Sequence, residues 1–396
     1  MDRLRPGGLF TDPNPVTPQL GGVPGFRDLL PEEAEVLRAA QESLLEEMRR
    51  WGYRHVITPM VESIDVLELG LNADQRRRLF KFIDARGEVV ALVGERTIPV
   101  ARLVAGKLRS AALPLRLCYA GAVLSADEGR FHQRRETYQV GAELVGASGA
   151  AADAEVIALA ARCLEAAGLR RYQVDVGHAE FFQGIMDAVR LPAVVKAGVR
   201  SALAARDFVA LEELLERTPL RSAEHELLLR FPALRGGSEI LAAAGGLVRN
   251  RRSEKALSEL ARVQELLVAH GLGGVVGLDL GAIRDFDYYT GIIFEGYGPD
   301  LGRPVAQGGR YDRLLSRFGR PAPATGFATL RLFGMRAVVD TEARRDRDAR
   351  TWWRAVGAEN LIQCRGASKV AWTARGGRTR TLPPEQVAAR LAGAHV

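Results

Sequence analysis

Three things are scarce in this chain of 396 residues, and each scarcity argues against a class of protein. Its three cysteines, Cys118, Cys163 and Cys364, lie far apart and fit neither a zinc-binding spacing nor a disulfide framework. No run of eighteen or more apolar residues occurs, so we predict no membrane-spanning helix and no membrane partner. The N-terminal segment has no apolar core of the kind found in signal peptides, and we therefore expect a cytoplasmic protein.

The remaining composition is typical of a large globular protein, with 47% hydrophobic and 26% charged residues. The length suggests about two or three domains. A net charge of +7 could indicate nucleic-acid binding, but the basic residues are spread along the chain. Solvated helix faces explain most of them, so charge alone assigns no partner.

The most distinctive segment runs from Leu280 to Tyr297 and places a polar turn between two strand-like runs. The turn contains a guanidinium, two carboxylates, two phenols and a hydroxyl, supplied by Arg284, Asp285, Asp287, Tyr288, Tyr289 and Thr290. Such groups offer donors and acceptors for a small zwitterion or a planar polar ring. The alternative for this segment alone is a tyrosine-rich hairpin with a surface ion pair.

Near the N-terminus the pattern predicts a helix followed by a short strand. Pro31 suits a first helical turn and is followed by acidic residues, and apolar residues then recur at helical spacing up to Gly52. The strand that follows ends at Pro59, with the acid Glu62 shortly after it.

Two strand patterns at residues 80–84 and 89–93 lead into a segment that contains Glu95 and Thr97. The local interpretation of this segment is a helix N-terminus, with Thr97 as the N-cap and Pro99 in the first turn. A capping residue of this kind could also face a ligand.

Two further strands, at residues 116–124 and 137–146, flank an irregular polar loop. Gln139 and Glu143 lie four positions apart on the second strand, so both side chains point to the same face. Polar side chains on an otherwise apolar strand are costly to bury without a partner, and a ligand is one possible partner. The sequence therefore predicts a polar pocket at this strand.

The rest of the chain alternates between helical and strand patterns. Residues 181–270 are almost entirely helical in pattern, and His178 just before them is assigned no role. Gly308 and Gly309 are predicted to form a turn into a helix and to allow close approach of the backbone to a ligand. After a charged run, the tail suggests strand, strand and helix.

Taken together, the motifs from about residue 20 to residue 335 resemble class II aminoacyl-tRNA synthetases, in particular histidyl-tRNA synthetases and their paralogues. The resemblance implies an α+β fold, a class II synthetase-like antiparallel sheet flanked by helices, and a homodimer formed through that core. The predicted division of the chain has four parts. They are a flexible lead-in (residues 1–20), a core in two segments (21–180 and 271–340), a helical insertion (181–270) and a short C-terminal α/β piece (341–396). That last piece is too short for an anticodon-binding domain of about 100 residues.

The resemblance also implies a set of histidine-binding residues, which are Glu95, Thr97, Gln139, Glu143, Arg284, Tyr288 and Tyr289. In that family the residues at the positions of Glu143 and Tyr289 face the imidazole, and the residue at Arg284 lies on the carboxylate side. Those at Glu95, Thr97 and Gln139 hold the ammonium group. Arg135, Gly308 and Gly309 are possible further pocket residues.

The ATP side departs from the pattern of an active synthetase. Ser125 stands where the family has an arginine that grips the α-phosphate, and serine cannot replace such a bidentate clamp. Phe333 stands where the arginine of the third motif is expected, with Arg130 and Arg331 displaced from these positions.

The chain keeps the residues that bind the amino acid in that family and lacks those that bind the nucleotide. In this combination it resembles the regulatory subunits of ATP phosphoribosyltransferase, a paralogous family. This resemblance implies a non-catalytic chain without a cofactor, with L-histidine as effector, a short-form catalytic subunit as partner, and no tRNA. Two alternatives stay open. One is a truncated or divergent histidine–tRNA ligase, and the other is a paralogue that acts on another amino acid or on a carrier protein.

Overall fold

The computed structural model describes most of the chain and, towards its C-terminus, four strand segments. The described residues are 22–126, 135–205, 207–281, 288–298, 304–329, 338–340, 360–364, 370–374 and 380–382. Among the described helices, none is long and apolar enough to cross a membrane.

The centre of the fold is a nine-stranded mixed sheet. Its strands, in spatial order, are β1 (Arg54–His55), β5 (Leu115–Leu124), β6 (Glu136–Val145), β12 (Ala324–Thr329), β11 (Ala306–Arg310), β10 (Ile292–Tyr297), β7 (Gln173–His178), β9 (Val276–Asp279) and β8 (Arg235–Gly236). The strands from β5 to β7 pair antiparallel throughout, whereas β1 with β5 and β7 with β9 are parallel pairs. This arrangement confirms the predicted antiparallel sheet flanked by helices.

One face of the sheet is covered by α1 (Pro31–Arg50) and α5 (Ala150–Ala166), which pack against each other and against the strands. Helix α1 starts at Pro31, with acidic residues in its first turn and basic residues in its last, as the helix dipole favours. Its apolar residues recur every three or four positions and are buried in the main hydrophobic core.

The opposite face carries α4 (Thr97–Ala105) and the short α12 (Leu314–Arg317), which enclose a second, smaller core. A three-stranded sheet lies next to α4, and it pairs β2 (Val61–Ser63), β4 (Val89–Leu92) and β3 (Lys81–Ile83) in that order. Two short helices, α2 (Ile64–Glu68) and α3 (Ala73–Arg77), connect β2 to β3. Glu62 accepts a 2.6 Å hydrogen bond from Arg102 and so ties β2 to α4.

The chain between β7 and β9 is almost entirely helical. It contains α6 (Ala179–Ala188), α7 (Ala193–Ala204), α8 (Phe208–Glu216), α9 (Ser222–Arg230), α10 (Glu239–Leu247) and α11 (Arg251–Ala269), with a 3₁₀ turn at Phe231–Ala233. Helix α11 packs on α5 and α6. His178 caps α6, because its Nδ1 accepts from the N–H of Glu180 while its Nε2 lies 3.0 Å from Glu259. The division of the chain at residues 181 and 270 stays a prediction.

Two local predictions are wrong. Gly308 and Gly309 lie within β11 and do not form a turn into a helix, because both residues pair with β10 on one side and β12 on the other. An ideal Cβ would lie 2.5 Å from the ring of Phe294 at Gly308 and 2.9 Å from that of Tyr289 at Gly309. Thr97 is the first residue of α4 rather than its N-cap, a position that Arg96 occupies.

The C-terminal strand segments form a four-stranded sheet in chain order. Its strands are β13 (Val338–Asp340), β14 (Asn360–Cys364), β15 (Val370–Ala374) and β16 (Arg380–Leu382). The two predicted tail strands correspond to β14 and β15, and the predicted final helix lies outside the described residues.

Candidate functional site

The centre of the candidate site is Glu143, a carboxyl group on β6 that is only 1% exposed. The phenol of Tyr311 donates to its Oε2 in a short hydrogen bond, and the phenol of Tyr119 donates to its Oε1 at 3.4 Å. Burial raises the pKa of Glu143 to about 8, although hydrogen bonds from Tyr311, Thr97 and Tyr119 act in the opposite direction. Burial therefore favours the protonated form of Glu143 in the free protein.

A second buried carboxyl group, that of Glu95, lies at the N-terminus of α4. It accepts hydrogen bonds from the backbone N–H groups of Thr97 at 3.0 Å and Ile98 at 2.8 Å, and so satisfies two free donors of the helix. Burial raises the pKa of Glu95 to about 7 against these bonds. The side chain of Thr97 interacts with both Glu95 and Glu143, which places the two carboxyl groups in one pocket.

Tyrosine rings form the wall of this pocket. Tyr288 packs between Tyr289, with ring centroids 4.9 Å apart, and Tyr311, in an edge-on contact at 5.7 Å. Burial holds the pKa of Tyr288 well above its usual range, and the nearby charges of Glu95 and Glu143 act in the same direction. The pocket therefore combines aromatic surface with two acidic groups.

Gln139 lies on the same face of β6 as Glu143 and directly opposite Gly121 of β5. Its side chain is 8% exposed, and within the described part of the chain its Oε1 has no hydrogen-bond partner. A buried carbonyl oxygen without a donor is costly, so a ligand N–H at this position would be stabilised.

The structure brings together five of the seven predicted histidine-binding residues, which are Glu95, Thr97, Glu143, Tyr288 and Tyr289. Gln139 lies four positions from Glu143 on the same face of β6, and Arg284 lies outside the described residues. Of the further candidates, Gly309 lies against Tyr289, whereas Gly308 faces the ring of Phe294 in the core. The side chain of Arg135 lies over the ring of Phe80, with its guanidinium carbon 5.8 Å from the ring centre.

A cavity of about 280 Å³ adjoins Glu95. It is lined by Leu71, Asn72, Asp74, Gln75, Arg78, Leu79, Gly94, Glu95, Leu124 and Ser125. Ser125, which the sequence resemblance predicts to stand at the position of the phosphate-gripping arginine, is part of its wall. In the described segments, no group of three or more His, Cys, Asp or Glu side chains is arranged to hold a metal ion.

Sequence reasoning missed three residues at this site, Tyr119, Tyr311 and Arg96. Tyr119 lies two positions before Gly121 on β5, so both residues are on the face of the sheet that carries Glu143. This period of two is visible in the sequence. Tyr311 was masked by the wrong assignment of a turn at Gly308 and Gly309. Arg96 lies between two predicted binding residues and was assigned no role from the sequence.

The close fit around Glu143 predicts that Gly326→Ala is destabilising. Gly326 pairs with Glu143 across β12 and β6, and an ideal Cβ would lie 1.7 Å from Glu143 Oε2 and 2.7 Å from the backbone oxygen of Ala142. We expect a loss of about 1–3 kcal/mol in the free energy of unfolding, measured by urea denaturation. The matched control is Gly246→Ala in α10, where a Cβ meets nothing within 4 Å. An unchanged unfolding midpoint for the Gly326 variant would contradict this packing.

The mixed sheet, with its pocket of two carboxyl groups and several tyrosines, is that of a class II aminoacyl-tRNA synthetase-like protein. A sequence model of histidyl-tRNA synthetase matches residues 25–331. A crystal structure described as an ATP phosphoribosyltransferase regulatory subunit/histidyl-tRNA synthetase from Bacillus halodurans superposes with a TM-score of 0.75 at 33% identity. It covers 85% of this chain and 90% of that one.

Two curated relatives are similar over most of their length. An ATP phosphoribosyltransferase regulatory subunit from Moorella thermoacetica is 45% identical over 77% of this chain and 78% of the relative. A second such subunit, from Syntrophotalea carbinolica, is 42% identical over 77% of this chain and 71% of the relative. The chain therefore belongs to the histidyl-tRNA synthetase family, in its branch of ATP phosphoribosyltransferase regulatory subunits. This membership confirms the prediction of a regulatory rather than a catalytic chain.

Proposed function

We propose that this chain binds L-histidine in the pocket around Glu143 and thereby makes an ATP phosphoribosyltransferase responsive to histidine. The observation that carries the proposal is the pair of buried carboxyl groups, Glu95 and Glu143, whose pKa values are raised to about 7 and about 8. Two such groups in one pocket destabilise the free protein once they ionise. A ligand that brings a cation and an N–H donor would stabilise both.

The proposed orientation assigns one end of histidine to each carboxyl group. The imidazole N–H donates to Glu143, next to the ring of Tyr289, because a carboxylate is the natural acceptor for that donor. The ammonium group lies between Glu95, Thr97 and Gln139, and it would supply the donor that Gln139 Oε1 lacks among the described residues. We propose from the family resemblance alone that Arg284 lies on the side of the histidine carboxylate.

The cavity next to Glu95, which the family resemblance assigns to the nucleotide side, supports a sensor rather than a ligase. Ser125 lines the cavity next to Glu95 and offers a hydroxyl in place of a guanidinium. A hydroxyl cannot form the paired, charge-assisted bonds that hold a phosphate. Arg130, Arg331 and Phe333, the other positions on which the ligase alternative depends, lie outside the described residues.

The partner in this proposal is the catalytic subunit of ATP phosphoribosyltransferase, in its short form. The relatives are named as regulatory subunits of that enzyme, which implies a separate catalytic subunit for them. Histidine would act by stabilising one state of the complex more than another, and a coupling of this kind is worth about 1–3 kcal/mol. The cytoplasm, where thiols such as the free Cys118 and Cys163 stay reduced, is the compartment that we propose.

Reconstitution tests this function. The short-form catalytic subunit from the same genome is assayed for phosphoribosyl transfer alone and after mixing with this chain, with and without L-histidine. We expect no activity from this chain alone, higher activity in the mixture, and inhibition of the mixture by histidine. If the chain alters neither the activity nor the response to histidine, the proposed function is wrong.

We further propose that the chain forms a homodimer through the segment around Pro59. Ile57 is 82% exposed, and Val61 on the other side of Pro59 is also exposed. Exposed apolar side chains on an irregular segment beside a sheet edge are typical of a protein interface. A second copy of this chain would cover them.

The dimer proposal predicts that Ile57→Asp produces monomers in light-scattering or sedimentation experiments, because a charge at this position would be buried against apolar groups. Val194→Asp is the matched control, since Val194 is 83% exposed on α7 in the helical segment. A wild-type monomer, or a dimer that the Ile57 variant leaves intact, would refute this interface.

A further inference from the structure

Arg96, between Glu95 and Thr97 in the chain, is a buried cation that lacks a carboxylate partner in the described part of the chain. It is only 4% exposed. Its Nη1 donates to the backbone oxygen of Thr58 at 3.3 Å and to its hydroxyl at 3.1 Å. Its Nη2 donates to the backbone oxygen of Ala122 at 2.7 Å and lies 2.9 Å from the sulfur of Met60.

These contacts use the four terminal N–H groups and leave one donor. Within the described residues, the buried Nε of Arg96 has no hydrogen-bond partner. All the partners of the other nitrogens are neutral, so among the described residues the positive charge is compensated by dipoles alone. A buried guanidinium without a counter-charge is strongly unfavourable, and burial lowers the pKa of Arg96 accordingly.

The free Nε–H of Arg96 and the free Oε1 of Gln139 lie on the same side of the sheet. An ideal Cβ on Gly121 would lie 2.8 Å from Arg96 Nε, so the guanidinium rests against the backbone of Gly121. Gln139 is the residue directly opposite Gly121 on β6, and opposite residues of antiparallel strands point to the same face. A buried donor with a positive charge and a buried acceptor therefore adjoin the pocket of Glu95 and Thr97.

We infer that Arg96 meets the carboxylate of the bound amino acid, an inference that rests on the proposed function. The zwitterionic end of an α-amino acid carries both groups that this region lacks. Its ammonium would donate to Gln139 Oε1 and Glu95, and its carboxylate would accept from Arg96 Nε–H and supply the missing counter-charge. Successive residues, Glu95 and Arg96, would then select ligands with a free amino group and a free carboxylate. Arg96 is in this respect a specificity-determining residue.

The test compares L-histidine with histamine, which has the same imidazole and amino group but no carboxylate. Binding of both ligands is titrated by calorimetry to the full-length wild-type chain and to Arg96→Met and Arg96→Lys. We expect wild type to bind histidine at least about tenfold more tightly than histamine, as a charged hydrogen bond allows. Arg96→Met should lose that preference while its affinity for histamine changes by less than about threefold, and Arg96→Lys should keep part of it.

Arg116→Met is the matched control, because Arg116 is paired with Glu155 outside the pocket and its loss should leave the preference for histidine intact. If wild type binds histamine as tightly as histidine, the inference is overturned without any variant, even if the Arg96 variants fail to fold. Equal losses for both ligands in Arg96→Met would also overturn it, since they would indicate that Arg96 only braces Thr58 and Met60. If wild type binds neither ligand, the proposed function itself fails and this inference falls with it.

Discussion

Glu143→Gln is expected to lower the affinity for L-histidine by about 100-fold, the cost of losing the charged partner of a buried hydrogen bond. A glutamine at this position has one acceptor oxygen, whereas Glu143 accepts from Tyr311 and Tyr119 and must also accept from the imidazole. The amide N–H groups would face donors on the tyrosines or on the ligand. Calorimetric titration of both proteins with L-histidine at pH 8 measures the difference.

The stability of the same variant separates a binding defect from a folding defect. Because the folded-state pKa of Glu143 is raised above that of the unfolded chain, the folded protein binds more protons between about pH 4.5 and 8. Its stability therefore falls as the pH rises through that window, and Glu143→Gln removes this contribution. We expect the unliganded variant to unfold at the same temperature as wild type or higher at pH 8.

The conservative change Glu180→Gln serves as the matched control. Glu180 lies on α6, where it pairs with Arg252 away from the pocket. Its loss should leave the affinity for histidine unchanged. If Glu143→Gln binds histidine as tightly as wild type, the assignment of the imidazole position is wrong.

Histidine binding is expected to release protons, and the release should grow as the pH falls through 7. The free protein holds a proton on Glu95 below its pKa of about 7. The ligand ammonium favours the ionised form, so that proton leaves on binding. The proton on Glu143 can pass to the imidazole and need not leave the complex.

This linkage predicts the release of a fraction of a proton from Glu95 near pH 7, which rises towards about one proton at lower pH, where the affinity falls towards tenfold per pH unit. Calorimetry in two buffers with different ionisation enthalpies measures the number of protons. Glu95→Gln provides the control, because it removes the titrating group and should make the release near pH 7 small. An equal release in wild type and in Glu95→Gln would show that another group titrates.

The fold was well predicted where the sequence carries a clear period. The helical spacing of Leu37, Ala40, Leu44 and Met48 gave α1, because one face of that helix is buried and the other is solvated. Gln139 and Glu143 were selected because polar residues on an apolar strand need a partner, and both are buried on β6. The strand patterns of β5 and β6 and the proline at position 59 are equally local features of the sequence.

The errors came from residues whose role depends on distant neighbours. Glycine usually marks a turn, but Gly308 and Gly309 are strand residues of β11. The absence of a side chain there leaves space for the rings of Phe294 and Tyr289. The sequence around the two glycines does not show that these rings pack against them. Arg96 likewise reveals itself only through Thr58, Met60 and Ala122, which lie 26 to 38 positions away in the chain.

The most direct test of a histidine sensor without ligase chemistry is a calorimetric titration of the purified chain with L-histidine, with and without ATP. We expect histidine to bind in both cases with the same affinity and no pyrophosphate to be released. Tighter binding in the presence of ATP, accompanied by pyrophosphate, would contradict it. In that case the lost phosphate-gripping arginines have been replaced by other residues, and the chain is an enzyme that activates histidine.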